Sequence, residues 1–122
     1  MTYISGFVTP VKPENKDAYI ESARMAWPLF QEFGALSMNE GWGDNTPDGK
    51  VTDFRRAVQA EAGEIVVFSW VVWPDKATAD AAEGKMMSDP RMEQLPMPFD
   101  GKRMFWGGFR PILDTAGETV GA

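Results

Sequence analysis

Neither cysteine nor histidine occurs among the 122 residues, and that double absence removes whole classes of chemistry. Without cysteine there is no disulfide framework and no thiolate nucleophile. Without either residue, zinc sites built from Cys and His, Ser-His-Asp triads and His-ligated haem are excluded. A phosphate-cradling glycine loop followed by Lys and Ser or Thr is also missing, as is a dinucleotide fingerprint; the Gly107-Gly108 pair has neither the following helix nor the spacing for one. No metal and no cofactor is expected. Basic residues are the minority, twelve against eighteen acidic, which leaves a net charge of −6. That field opposes a non-specific grip on nucleic acid or on an anionic membrane, and no strong basic patch offsets it. The amino terminus, Met-Thr-Tyr-Ile-Ser-Gly-Phe-Val, lacks the basic start and apolar core of a signal peptide. The expected location is the cytoplasm.

What the chain does have is one apolar stretch at residues 64–73, Glu-Ile-Val-Val-Phe-Ser-Trp-Val-Val-Trp. It is too short for a membrane span and too β-branched and aromatic for a surface helix, so it reads as a central strand. Ile65, Val67, Ser69, Val71 and Trp73 share one face, and Val66, Phe68, Trp70 and Val72 the other. Both faces are apolar and both need cover. A chain of this length makes one domain burying roughly two-thirds of its unfolded surface. Its helices cover one face of a small sheet and leave little for the second, which points to a partner subunit.

Around this strand the other elements fall in order. Residues 3–8 form a strand expected to stop at Pro10. Pro13, Glu14 and Asn15 introduce an amphipathic helix carrying Tyr19, Ala23, Ala26, Trp27, Phe30 and Phe33, closed by Gly34, with a kink near Arg24 or a break at Trp27 expected from Pro28. Residues 35–42 alternate as a second strand with Leu36, Met38, Glu40 and Trp42 on one face. Residues 43–63 are an insert, in which 51–58 reads either as a short helix capped by Asp53 or as extended chain. After the central strand, Pro74 and Asp75 open a helix over residues 76–87 whose Ala77, Ala81 and Gly84 offer a thin face. Asp89 and Pro90 start one further turn. The prolines of residues 95–101 impose irregular chain. Residues 102–109 make the last strand, with Met104 and Trp106 on one face, Arg103, Phe105 and Phe109 on the other, and a bulge or close approach at Gly107-Gly108. The domain spans residues 1–114, and 115–122 read as a flexible tail.

The order strand, helix, strand, strand, helix, strand is the ferredoxin-like βαββαβ arrangement of the α+β class, a four-stranded antiparallel sheet with both helices on one face. Three stretches then carry a specific resemblance: Val51-Thr52-Asp53-Phe54-Arg55-Arg56-Ala57-Val58, Ile65-Val66-Val67-Phe68-Ser69-Trp70, and Met97-Pro98-Phe99-Asp100-Gly101-Lys102-Arg103-Met104-Phe105-Trp106-Gly107-Gly108-Phe109. They resemble the signatures of the YbaA-like proteins, domain-of-unknown-function family 1428, departing from the pattern at Asp53 and Arg55. The resemblance runs from residue 3 to about 114. It implies the dimeric α/β-barrel superfamily, in which two ferredoxin-like subunits pack sheet on sheet, and it implies no particular activity.

Several residues are candidates for chemistry. Arg56 and Arg103 could converge with Trp106 on an anionic, partly apolar molecule, since guanidinium groups hold carboxylates by two parallel bonds; the plainer role is to pair with Asp53, Glu40 or Asp100 and brace loops. Glu40, if recessed, is a possible general base, and Ser69 and Asp100 are weaker catalytic candidates, Ser69 lacking a base beside it. Trp70, Trp106, Met38 and Met104 either line a ligand cavity or fill the sheet-to-sheet core. Three functions follow. The first is a homodimer binding a small apolar or aromatic anion between sheet and helices, which predicts a cavity of Trp and Met with an Arg at its mouth. The second is a cofactor-independent enzyme, monooxygenase- or isomerase-like as the superfamily implies. The third is an interaction dimer with no ligand. Whether the protein is an enzyme is left open by the residues.

Overall fold

The run of Val, Ile, Phe and Trp at Ile65–Trp73 forms strand β3, an interior strand of the sheet. The computed structural model describes residues 2–116 together with 119 and 120. Before β3 come β1 (Tyr3–Val11), helix α1 (Lys16–Glu32), β2 (Ser37–Trp42) and a four-residue helix α2 (Phe54–Ala57). After it come α3 (Lys76–Ser88), the short α4 (Pro90–Glu93) and β4 (Phe105–Phe109). The sheet order is β2-β3-β1-β4, and each neighbouring pair is antiparallel. This is the expected ferredoxin-like fold. No helix of the described residues is long and apolar enough to cross a membrane.

Local chemistry sets most element ends. Gly34 takes φ +109°, which glycine reaches without the cost a Cβ would add, and the Ala35 amide donates to the Phe30 carbonyl to close α1. Asp75 caps α3 by accepting from the Thr78 amide at 2.7 Å. Asp89 caps α4 from the Arg91 amide, with Pro90 in its first position. Asp53 accepts from the Arg56 amide at 2.7 Å, so the helical alternative for residues 51–58 is the one adopted.

Four expectations need correction. Strand β1 runs on through Pro10 to Val11, because β4 pairs only with residues 4–8 and leaves β1 an edge on that side, where a proline is tolerated. Helix α1 is not broken at Trp27. Pro28 and Arg24 are both exposed, so the carbonyl that loses its bond is on the wet side of the helix. In α3 the packed stripe is Ala79 and Ala82, in phase with half-buried Met86, while Ala77, Ala81 and Gly84 face solvent. The larger Met86 selects the buried side. The last strand begins at Phe105 rather than 102, because Asp100 gathers the amides of Lys102 and Arg103 into a turn.

Helices α1 and α3 lie over one face of the sheet, where Phe33, Ala35, Val71, Trp73, Ala79 and Ala82 form the main core. Val11, Tyr19 and Val67 extend it, with Trp42 and Phe99 alongside. On the opposite face the insert contributes Val58, buried against Val8 and Val66. It covers only one end. Phe68, Phe105 and Phe109 remain 45%, 45% and 59% exposed on the rest of that face. Beyond β4, Leu113–Asp114 pairs antiparallel with Thr119–Val120; of the tail expected at 115–122, residues 117, 118, 121 and 122 lie outside the described residues.

Candidate functional site

Both covering helices present small side chains to the sheet, Ala23 and Ala26 from α1 and Ala79 from α3. Small residues there leave the space between helices and sheet unfilled. The result is a cleft of about 800 Å³, open to solvent and lined mostly by apolar groups. Its floor is the face of the sheet that carries Phe7, Met38, Val71 and Trp73, and its rim carries Met86, Met87, Met92, Met97 and Met104. Phe7 and Trp106 stack across β1 and β4 with centroids 6.4 Å apart and planes 27° apart, forming a flat aromatic wall. At one place the Trp73 indole N–H donates to Ser5 Oγ at 3.0 Å, which satisfies a donor otherwise buried.

One end of the cleft is polar. Glu40 of β2 sits directly opposite Ser69 of β3, and the Tyr19 hydroxyl of α1 donates to Glu40 Oε1 at 2.6 Å. Ser69 and the neighbouring Thr9 are buried. Glu40 is exposed, and its side chain opens into the cleft. Desolvation raises its pKa, and hydrogen bonds from Tyr19 and Ser69 offset part of that rise. The Tyr19 phenol is pushed well above its usual range, first by burial and then by the adjacent Glu40 charge. Chemically this end offers a carboxylate that is accessible, hydrogen-bonded and short of counter-charge. Such a group can accept a proton or hold a donor.

Of the residues singled out in the sequence, Glu40, Ser69, Met104 and Trp106 line this cleft, with Met38 beside them. Arg56, Arg103, Asp100 and Trp70 do not line it. Arg103 places Nη1 and Nη2 on the two oxygens of buried Glu64, at 2.6 and 2.8 Å, and Nε on Asp100 at 3.0 Å. It also donates to the carbonyl of Gln59, which sits at φ 52° in the left-handed region. Arg103 therefore ties the turn before β4 to the end of the insert. Its hydrogen bonds hold the Glu64 carboxyl down at about 2 and lower Asp100 as well. Arg56 pairs with Asp53 at 2.8 Å and donates to the carbonyls of Val51 and Gly49. Trp70 lies on the opposite face, tilted against Phe68, which meets Phe54 of α2 edge-on.

Among the described residues no Lys or Arg lines the cleft, and its charged residues are Glu40, Asp80 and Glu83. The arginine expected at the mouth of the cavity is thus not there. Tyr19 was counted among the apolar positions of α1, and its role was missed. The available signal was its hydroxyl: a tyrosine on the buried stripe of a helix needs a partner for its O–H, and Glu40 was the carboxylate facing inward from β2. Among the described residues no three acidic side chains converge as a metal site.

Comparison with known proteins places this chain in a family. A model described as "Protein of unknown function (DUF1428)" matches residues 2–101. The uncharacterized protein YbaA of Escherichia coli K12 is 59% identical over 116 residues, covering 93% of this chain and 99% of the relative, and YbaA of Shigella flexneri gives the same figures. Among solved structures, a dimeric ferredoxin-like protein from an uncultured marine organism superposes with a TM-score of 0.60 at 11% identity, over 93% of this chain and 98% of that one. Rv0793 from Mycobacterium tuberculosis gives 0.51 at 14%, over 94% and 99%. At such identities the two structures show the fold alone. The family model and the 59% identity over nearly the whole chain establish more than fold: this chain belongs to the DUF1428 family of YbaA-like proteins.

Proposed function

We propose that this protein binds a small, largely apolar molecule in the cleft between sheet and helices, and that it does so as a sheet-to-sheet homodimer. The observation that carries the first part is the cleft itself, about 800 Å³ with methionine and aromatic walls and a polar end at Glu40, Ser69 and Tyr19. Ligand sites are commonly concave, apolar and served by a few convergent polar groups, and this volume falls in their ordinary range. Flexible thioethers at the rim suit guests of varied shape. The second part is supported by the exposed Phe68, Phe105 and Phe109 on the uncovered sheet face and by the dimeric state of the ferredoxin-like marine protein.

The test uses Nile red, an uncharged apolar dye, titrated into the wild-type protein and into Ala23→Trp, in which an indole occupies the cleft. We expect saturable binding to the wild type and its loss in the variant, with far-UV circular dichroism unchanged. Equal dye binding by both proteins would count against the cleft as the site. A protein that binds no dye in either form, and whose native mass spectrum from its own cells shows a bare dimer, would leave the interaction-dimer function in possession.

One observation favours a second reading, that of an enzyme. Glu40 and Ser69 face a solvent-connected cleft, and the raised pKa of Glu40 brings a carboxylate closer to the range useful for proton transfer. No histidine is needed for that role. The superfamily implied by the sequence resemblance includes cofactor-independent monooxygenases and isomerases, in which a polar residue on the sheet handles a proton. Turnover of a cleft ligand that is lost in Glu40→Gln while binding persists is the expected signature.

A further inference from the structure

The donors at the polar end of the cleft are already engaged. Tyr19 directs its only O–H to Glu40 Oε1, the hydroxyls of Ser69 and Thr9 are hydrogen-bonded within the same group of side chains, and the carboxylate of Glu40 is an acceptor throughout. Charge points the same way. Glu83 and Asp80 stand on the α3 side of the cleft, Asp80 being paired with Lys76 at 2.6 Å, and among the described residues no cation lines the space. The arginines that would receive an anion are committed elsewhere: Arg103 to Glu64 and Asp100, Arg56 to Asp53, Arg91 to Asp89 and Glu32. The rest of the lining supplies the complement to an apolar body, and the Phe7–Trp106 wall, at the β4 edge of the sheet away from Glu40, offers that body a flat aromatic surface.

We infer that the cleft selects molecules with an apolar or aromatic body and an amine head, received by Glu40 with Tyr19 beside it, and that it disfavours carboxylates of the same size. This rests on the cleft-binding function proposed above and deepens it by naming the ligand class. It reverses the anion expected from the sequence. An ammonium group placed at Glu40 supplies the counter-charge that this cleft carboxylate lacks, and a charge-assisted N–H···O bond is about twice as strong as a neutral one. A carboxylate placed there meets like charge, and the nearby hydroxyls are already bonded to Glu40 and Tyr19. Glu40 is then the specificity-determining residue, acting through charge rather than through shape.

Three probes on one skeleton test it: naphthylmethylamine, naphthalenemethanol and naphthoate, each titrated by calorimetry into the wild-type protein and into Glu40→Gln. The glutamine is isosteric and still accepts from Tyr19. In the wild type we expect the amine to bind about tenfold more tightly than the alcohol, the equivalent of ~1.4 kcal/mol, with naphthoate weakest of the three. In Glu40→Gln the amine and the alcohol should converge to within about threefold, ~0.65 kcal/mol, because the amine loses its counter-charge. Naphthoate binding as tightly as the amine overturns the inference, as does an amine preference that survives Glu40→Gln. The wild-type ratio decides the matter alone if the variant does not fold. Binding of Nile red with none of the three probes bound leaves the cleft a ligand site and sinks the amine specificity; failure of the dye and all three probes removes the cleft function itself.

Discussion

Arg103 and Glu64 illustrate how much a single pair can hold in this protein. Glu64 is buried at the start of β3, and Arg103 meets both its oxygens while also bonding Asp100 and the Gln59 carbonyl. Folding lowers the Glu64 pKa from 4.5 to about 2, chiefly through the Arg103 hydrogen bonds. A carboxyl depressed in the folded state contributes stability above its unfolded pKa and loses it as pH falls from about 4.5 through about 2. Removing one partner of such a pair leaves the other charge buried alone. Arg103→Met should therefore lower stability at pH 7 by urea unfolding, and the gap to wild type should narrow as pH is lowered toward 2. A gap that is constant with pH would mean that Arg103 acts through packing of its stem. The sequence allowed both a pocket role and a bracing role for this arginine. It could not show that residues 59–64 and 100–103 come together, because that contact spans some forty residues and is made by two irregular segments.

At the scale of elements, patterning carried most of the information. The alternation in β3, the capping aspartates 53, 75 and 89 and the closing Gly34 are local signals, and the structure uses each of them as such. Misreadings arose where a local rule met a tertiary condition. Pro28 is tolerated in α1 because its side of the helix is exposed, and water can serve the carbonyl of Arg24. Restoring the amide should help. Pro28→Ala is expected to raise stability by about 1–2 kcal/mol, less than the full ~3 kcal/mol difference in helix propensity, because proline also restricts the unfolded chain. Thermal unfolding checks this, and a lowered midpoint would show that Pro28 sets a bend on which the packing of α1 depends. The rotation of α3, with Ala79, Ala82 and Met86 inward, followed the same logic. Three small residues looked like a thin face, but the buried stripe is chosen by its largest apolar member.

At the scale of the molecule, the helix side of the sheet is underfilled and the other side is undercovered. The first condition makes the cleft. The second leaves a surface of Phe68, Phe105 and Phe109, with Trp70 of β3 beside Phe68, that the insert covers at one end through Val58 and the edge-on contact of Phe54 with Phe68. Stable interfaces bury roughly 800 Å² on each partner, and an apolar sheet face of this kind is where the proposed homodimer would find it. Phe109→Lys places a charge on that surface at the outer strand β4, where it is not needed for the monomer's own core. It should convert the dimer to a folded monomer in light scattering coupled to gel filtration, with circular dichroism retained. A variant that stays dimeric would place the interface elsewhere.

The sequence by itself determined the fold class and the family, because a two-sided apolar strand, helix periodicity and capping residues are local or near-local properties of the chain. Strand parity alone also assigned Glu40, Ser69 and Trp106 a side of the sheet, and it is the side that lines the cleft. Only the tertiary structure decided which charges face the cleft. Arg56 and Arg103 are drawn away by partners distant in sequence, and Tyr19 is brought to Glu40 by the docking of α1 on β2. Burial of a charge is favourable only where its partners are, and those positions are settled by how elements pack, which no periodicity encodes.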